Sequence, residues 1–492
     1  MRKLSVILLT LALLLTACGG GTDTSADETA TVEESSESLD APATTVATES
    51  PSGQKTGETF TMLMPALPSN ADFAVYQGTA STAVAAVWAG TILEFKAQDD
   101  PSIQPGIDDV QCFICESFTA DSDGNITVVL PDGLKSAYGN EISSDDVLYT
   151  FERVLANDFV FRFLMGVGSW NTENPITKVD DKTFIVNVTN NVPFTLGTLA
   201  WYSGSILDAT EVKSHATDED PWAKEWMAGN SATYGPYHLS SFSSGENATL
   251  SLNPGWNKFV PTYSDVVLTA VPDSATRLQA MLTGAADYTF KVDYDQLASA
   301  EGNSKVIITE ALESRSVELH LNFADEKFAD KKVRQAINFA IDRDAIVKGI
   351  MGKYGAAADT QLPEVIKGPA APGSYTQDVE KAKALLAEAG YADGFDMVIT
   401  VNAVRPGSYA SNVALLVANQ LADVGINATI SVYPSATDFE ASIRDDSFEA
   451  WLWDSTPALS DPYYYWRLNH HPILAFQNYK GYENAEFVEK LD

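Results

Sequence analysis

What most constrains the fold of this chain is the alternation of strand-period and helix-period segments from residue 59 onward. Residues 59–65 read as a first strand, and residues 182–188 alternate apolar and polar side chains as a strand does. Between them, Ser143-Ser144-Asp145-Asp146 supplies a helix cap with acids in the first turn, and Val147, Phe151 and Leu155 then recur on one face. Residues 230–257 carry Tyr234-Gly235-Pro236-Tyr237, a strand, a Gly turn and a second strand, and residues 274–282 form an amphipathic helix that Gly284 closes. In the second half an apolar strand at 317–323 precedes a helix at 330–351 and a capped helix at 378–390. A strand at 397–401, a helix at 411–424, a strand at 427–432 and a strand at 448–453 ending at Asp454 complete the run. This order of elements predicts an α/β fold.

The N-terminus predicts the compartment. Arg2 and Lys3 precede an apolar run at 4–15, the length of a signal-peptide core and too short to cross a bilayer as a helix. Leu15-Thr16-Ala17-Cys18 ends it, followed by Gly19 and Gly20. Small residues before a cysteine form a lipobox, so residues 1–17 read as a lipoprotein signal, cut before a Cys18 that is then acylated and membrane-anchored. Residues 18–57 are rich in Ser, Thr, Ala, Asp and Glu with almost nothing apolar, the composition of an extended, disordered tether.

Beyond the tether remain roughly 430 residues, enough for two or three lobes with their own cores. The formal charge of −36, from 67 acidic against 31 basic residues, argues against nucleic acid or an anionic membrane surface as partner. With Cys18 given to lipid, Cys112 and Cys115 remain as Cys112-Phe113-Ile114-Cys115, an even pair that outside the cell suggests a disulfide. No second such motif and no nearby His accompany it, and His470-His471 reads as a loop pair, so no metal and no cofactor are predicted.

Several motifs in order then carry a resemblance. Gly139-Asn140-Glu141-Ile142 through Asp146-Val147 to Phe151-Glu152-Arg153 is one, and Tyr234-Gly235-Pro236-Tyr237 with Leu252-Asn253-Pro254 is another. Arg277-Leu278 to Gly284-Ala285-Ala286-Asp287 follows. The strongest stretch is Asp330-Lys331-Lys332-Val333-Arg334-Gln335-Ala336 through Ala340-Ile341-Asp342-Arg343, and Ala382 to Gly390 is the last. The chain resembles the dipeptide-, oligopeptide- and nickel-binding solute-binding proteins, family 5, over nearly its whole mature length.

That resemblance implies a two-lobed, type II periplasmic-binding-protein fold that closes on ligand about a hinge near 310–318. Lobe I is expected at 58–312, with an inserted subdomain at about 96–178, and lobe II at 313–492. The family returns to lobe I after this point, so the chain reads as C-terminally truncated. The implied role is the substrate-binding lipoprotein of an ABC importer, a monomer on the outer face of the cell membrane that captures a di- or oligopeptide for permease subunits. An oligosaccharide or other small solute, or a receptor without transport, is the alternative.

In dipeptide-binding relatives a Trp-x-x-Asp segment before Asp-Pro supplies the carboxylate for the peptide ammonium. Trp451-Leu452-Trp453-Asp454 with Asp461-Pro462 matches it, and Arg405-Pro406 matches the arginine that forks onto the peptide carboxylate. The candidate ligand residues are therefore Asp454, Arg405, Trp451, Trp453 and Tyr463. Arg334 and Arg343 read as helix-end residues rather than ligand contacts. The sequence holds no G-x-S-x-G or H-E-x-x-H, and Asp145-Asp146 fits a helix start better than acid/base chemistry, so no enzyme is predicted.

Overall fold

A computed structural model describes residues 58–491 apart from 76–87, 99–104, 107–108, 158, 191–193, 311–312, 359, 364–365, 367–374, 403–405, 434–438, 440–441, 444, 446, 456–460 and 471–483. The predicted signal, Cys18, the tether and Arg405 lie outside the described residues.

The first sheet is built around β1 (Thr59–Met64), which runs parallel to both of its neighbours, β10 (Asp265–Ala270) and β11 (Tyr288–Thr289). The antiparallel hairpin β8 (Tyr237–Ser243) and β9 (Asn247–Leu252) extends it, giving the order β11-β1-β10-β9-β8. Gly245 turns this hairpin at φ +72°, a left-handed conformation that a side chain would strain. A helix at Ser274–Thr283 follows β10, with the Asp273 carboxylate accepting from the Thr276 N–H and Gly284 ending it at φ +76°. From this helix the buried Arg277 donates to the carbonyls of Val271, Pro272 and Lys291, so it fixes a chain crossing.

A second, fully antiparallel sheet has the order β4-β5-β7-β6, from β4 (Ser117–Ala120), β5 (Ile126–Val129), β6 (Ile176–Lys178) and β7 (Thr183–Val186). The helix at Ser144–Ala156 starts from the cap read in the sequence, which forms a capping box with Asp146 Oδ2 accepting from the Ser143 N–H at 2.8 Å. Its last turn carries Arg153, which is fully buried and paired with Asp72 at 2.5 Å. A short ribbon of β2 (Leu93–Phe95) and β3 (Val110–Cys112) leads into a disulfide between Cys112 and Cys115, whose Cα atoms are 5.0 Å apart. One apolar core serves these three sheets.

The last sheet has its own core and the order β12-β15-β13-β14. β12 (Ser316–Leu321) is antiparallel to β15 (Ala450–Ser455), which lies parallel to β13 (Phe395–Val401), itself parallel to β14 (Ile426–Val432). The predicted helix at 330–351 is broken into Lys331–Ala340 and Arg343–Ile350. The cause is Asp342, whose carboxylate accepts from the Ala345 N–H and caps a second helix where the apolar period alone suggests continuity. Arg334 donates to the Phe328 and Ala329 carbonyls, and Arg343 to those of Asn338, Ile341 and Tyr375, the helix-end roles read from the sequence.

The C-terminal residues do not all stay with this sheet. In the helix Pro462–His470, Tyr464 is buried in the first core and stacks on Phe194 at 4.8 Å, while its neighbour Tyr465 donates a hydroxyl hydrogen bond to Glu318 of β12. The stretch expected as one lobe from 313 thus reaches, through Tyr464 and Tyr465, into both halves of the described residues.

Candidate functional site

Between the β1 sheet and the β12 sheet lies a cleft of about 2920 Å³. One wall comes from the segment after β11, through Phe290, Asp293 and Tyr294, and the other from Arg315 and the start of β12 with Ser408 and Tyr409. Two contacts join the walls directly. The Ser408 hydroxyl donates to Asp293 at 3.0 Å, and the rings of Tyr294 and Tyr409 lie 6.0 Å apart. At the lip, Lys353 pairs with Glu301 at 3.0 Å and the Tyr354 hydroxyl donates to the same carboxylate.

The charged centre of the wall is Arg315. Its Nε is 3.2 Å from Glu313 and its Nη1 is 3.4 Å from Asp454. Register explains the second pair. Val317 of β12 faces Asp454 of β15, and Arg315, two residues earlier, points to the same side of the sheet. Burial opposes the charge of Arg315, but Glu313 and Asp454 outweigh it and raise its pKa. Burial likewise pushes the Tyr294 and Tyr409 hydroxyls up, so both are neutral hydrogen-bond donors at ordinary pH.

The other face of the same strand pair carries a polar cluster. Glu318 Oε1 accepts from the Ser316 hydroxyl at 2.5 Å and from the Tyr465 hydroxyl, and Oε2 lies 3.2 Å from Ser455 Oγ and 2.9 Å from His320 Nε2. Burial works against the ionised form, yet His320 and the two hydroxyls from Ser316 and Tyr465 hold the Glu318 pKa below the usual carboxylate value. His320 in turn stacks on Trp451 at 5.3 Å.

The residues predicted from sequence are distributed differently from a ligand pocket. All six residues of β15 are buried. Trp451 and Trp453 project on one face into a small core with Phe439 and Ile443, and neither lines the cleft. The reason is alternation: on a strand covered on both sides, residues two apart share one packed face. Asp454 is at the predicted strand end, but its side chain is 6 % exposed and lies behind Arg315, which is 15 % exposed and does line the cleft. Tyr463 is half-buried and is not part of the lining, and Arg405 lies outside the described residues, although its neighbours Pro406 to Tyr409 form part of the wall. Sequence reading passed over Glu313, Arg315, Tyr294 and Tyr409. Arg315 sits inside the segment read as the crossover, and a charged residue just before a buried strand was the available signal. Among the described residues no cluster of three or more His, Cys, Asp or Glu is placed to hold a metal ion, and no helix is long and apolar enough to cross a membrane.

Comparison with known proteins agrees with this architecture. The chain is 26% identical over 377 residues to the glutathione-binding protein GsiB of Shigella boydii, covering 74% of this chain and 69% of that one. It is 27% identical over 414 residues to the probable D,D-dipeptide-binding periplasmic protein DdpA of Escherichia coli, covering 81% and 75%. The solved structure of the ABC transporter-associated periplasmic binding protein DppA from Helicobacter pylori, in complex with peptide STSA, superposes with a TM-score of 0.75 at 22% identity, covering 88% of this chain and 86% of that one. The fold is therefore the two-lobed, type II periplasmic-binding-protein fold. The model for bacterial extracellular solute-binding proteins, family 5 (middle region) matches residues 110–472, and the chain belongs to that family of transport binding proteins, which are not enzymes.

Proposed function

We propose that this protein captures a short peptide or peptide-like solute in the cleft between its two lobes and hands it to the permease of an ABC importer, while acylated Cys18 and the tether hold it on the outer face of the cell membrane. The observation that carries the reading is the cleft itself. At about 2920 Å³ it exceeds the roughly 300–1,000 Å³ typical of a single drug-sized ligand, which leaves room for an oligomeric cargo and its water. Its walls offer a charged group at Arg315 and neutral hydroxyls at Tyr294 and Tyr409, the mixture that a peptide backbone and its termini need. Lobe I at 58–312 and a lobe II that begins at 313 and sends Tyr464 back into the first core, with a hinge near 310–318, fit this use, because closure of one on the other sequesters the solute. Relatives named for glutathione and for D,D-dipeptides point to the same class of cargo. Trp451 and Trp453 are core residues and offer a sugar no ring to stack on, which leaves Trp466 as the tryptophan that lines the cleft.

The test is native mass spectrometry of the full-length protein as purified, followed by thermal-shift titration with peptides of two to five residues and with oligosaccharides. Co-purified peptide and peptide-dependent stabilisation support the reading. Stabilisation by oligosaccharide alone refutes it. For the anchor, Cys18→Ser should move the protein from the membrane fraction to the soluble one, and unchanged membrane retention would refute lipidation at Cys18.

A further inference from the structure

We infer that Arg315 is the specificity-determining residue of the cleft: it fills the place of a ligand ammonium at Asp454 and selects solutes that present an acceptor oxygen there, such as the acyl oxygen of an N-blocked peptide. This deepens the peptide reading above and rests on it.

Three observations carry the inference. Asp454 already has a fixed cation, the Arg315 guanidinium at 3.4 Å. The order of burial places Arg315 in front: it lines the cleft and Asp454 does not. Finally, Arg315 Nε lies 3.2 Å from Glu313 and Nη1 3.4 Å from Asp454, yet Nε makes no hydrogen bond, and among the described residues Nη2 has no partner. A guanidinium is a planar fork, so two carboxylates paired with one side of it leave the other pointing in a set direction with donors to spare.

An ammonium approaching this wall meets a carboxylate that is already neutralised and a cation that cannot be moved cheaply. Expelling the guanidinium would leave it buried without its counter-ion. A carbonyl or carboxylate oxygen, by contrast, completes the unused edge of the fork. Glu313 does not reverse this preference, because its side chain is 61 % exposed and its charge is screened by water. The nearby Asp293 is engaged by Ser408, and the neutral Tyr294 and Tyr409 hydroxyls add donors and no charge.

The experiment uses the full-length protein and a tryptic digest of casein, half of it N-acetylated and isotopically labelled. The halves are mixed at equal amounts, and the retained ratio is read by mass spectrometry. The wild type should retain acetylated over free peptides by about threefold or more. Arg315→Met uncovers Asp454 and should shift the ratio toward free amines by about tenfold, whereas Arg315→Lys should keep most of the wild-type preference. Thermal melting of each variant separates misfolding from altered choice, and Arg315→Lys carries the test if Arg315→Met does not fold. Retention of free peptides alone by the wild type, or a ratio indifferent to both substitutions, overturns the role of Arg315 and leaves peptide capture standing. Retention of neither half overturns peptide capture and this inference together.

Discussion

Glu318 offers the sharpest test of how the lobes are joined. Its carboxylate is shared by Ser316, Ser455, His320 and Tyr465, which come from β12, β15 and the helix 462–470. Glu318→Ala removes the common acceptor and leaves buried donors behind. Each unsatisfied donor costs about 1–3 kcal/mol, and a broken buried charge cluster about 3–5 kcal/mol in total, because the losses are not additive. Some relief is available, since Ser316 Oγ and the Tyr465 hydroxyl are only 3.5 Å apart and can pair with each other. The expected loss is therefore about 3–5 kcal/mol for Glu318→Ala and about half that for Glu318→Gln, which keeps the shape and one acceptor. Urea denaturation followed by tryptophan fluorescence reads this directly.

The pH dependence follows from the sign of the shift. The folded-state pKa of Glu318 is depressed, so its contribution is present above the ordinary value of 4.5 and is lost as pH falls from there through the lower folded-state value. Glu318→Gln should flatten that acid limb while leaving the neutral limb parallel to wild type. A Glu318→Ala protein within about 1 kcal/mol of wild type at neutral pH would refute the reasoning, because it would mean that the carboxylate is no common anchor.

Three further outcomes follow from the same geometry. Asp72→Ala leaves Arg153 buried without its partner and should cost about 3–5 kcal/mol in chemical denaturation, whereas Asp72→Leu combined with Arg153→Met should recover most of the loss. At Gly235 an added Cβ would fall 2.2 Å from the Trp88 carbonyl oxygen, so Gly235→Ala should lower the melting temperature sharply while Gly229→Ala, where nothing lies within 4 Å, should be nearly silent. Ser408→Ala removes the hydrogen bond to Asp293 that crosses the cleft and should weaken solute binding two- to tenfold by calorimetry without changing the melting temperature of the free protein.

The elements that sequence reading placed best are those fixed by local chemistry. The cap at Ser143, the hairpin turn at Gly245 and the helix end at Gly284 all depend on residues within one turn of each other. The helix break at Asp342 was missed because a strong apolar period masks a cap lying inside it. The site was legible only in part. Asp454 is at the strand end that its motif implies, but its partner Arg315 lies 139 positions earlier, and only the β12–β15 register brings the two together. Trp451 and Trp453 show the opposite failure. Aromatic content identifies a residue that wants burial, and whether it packs in core or against ligand depends on what covers the second face of the sheet.

Tyr464 and Tyr465 are adjacent in sequence and yet committed to different halves of the molecule, one stacked on Phe194 and the other bonded to Glu318. Under the proposed closure, motion of one half on the other is carried both by the crossing near 310–318 and by the peptide unit between those two rings, so the helix 462–470 would work as a second pivot rather than as a cover. A pivot of this kind would let the halves rotate and resist their sliding apart, which under the proposed function returns the cleft to one closed register.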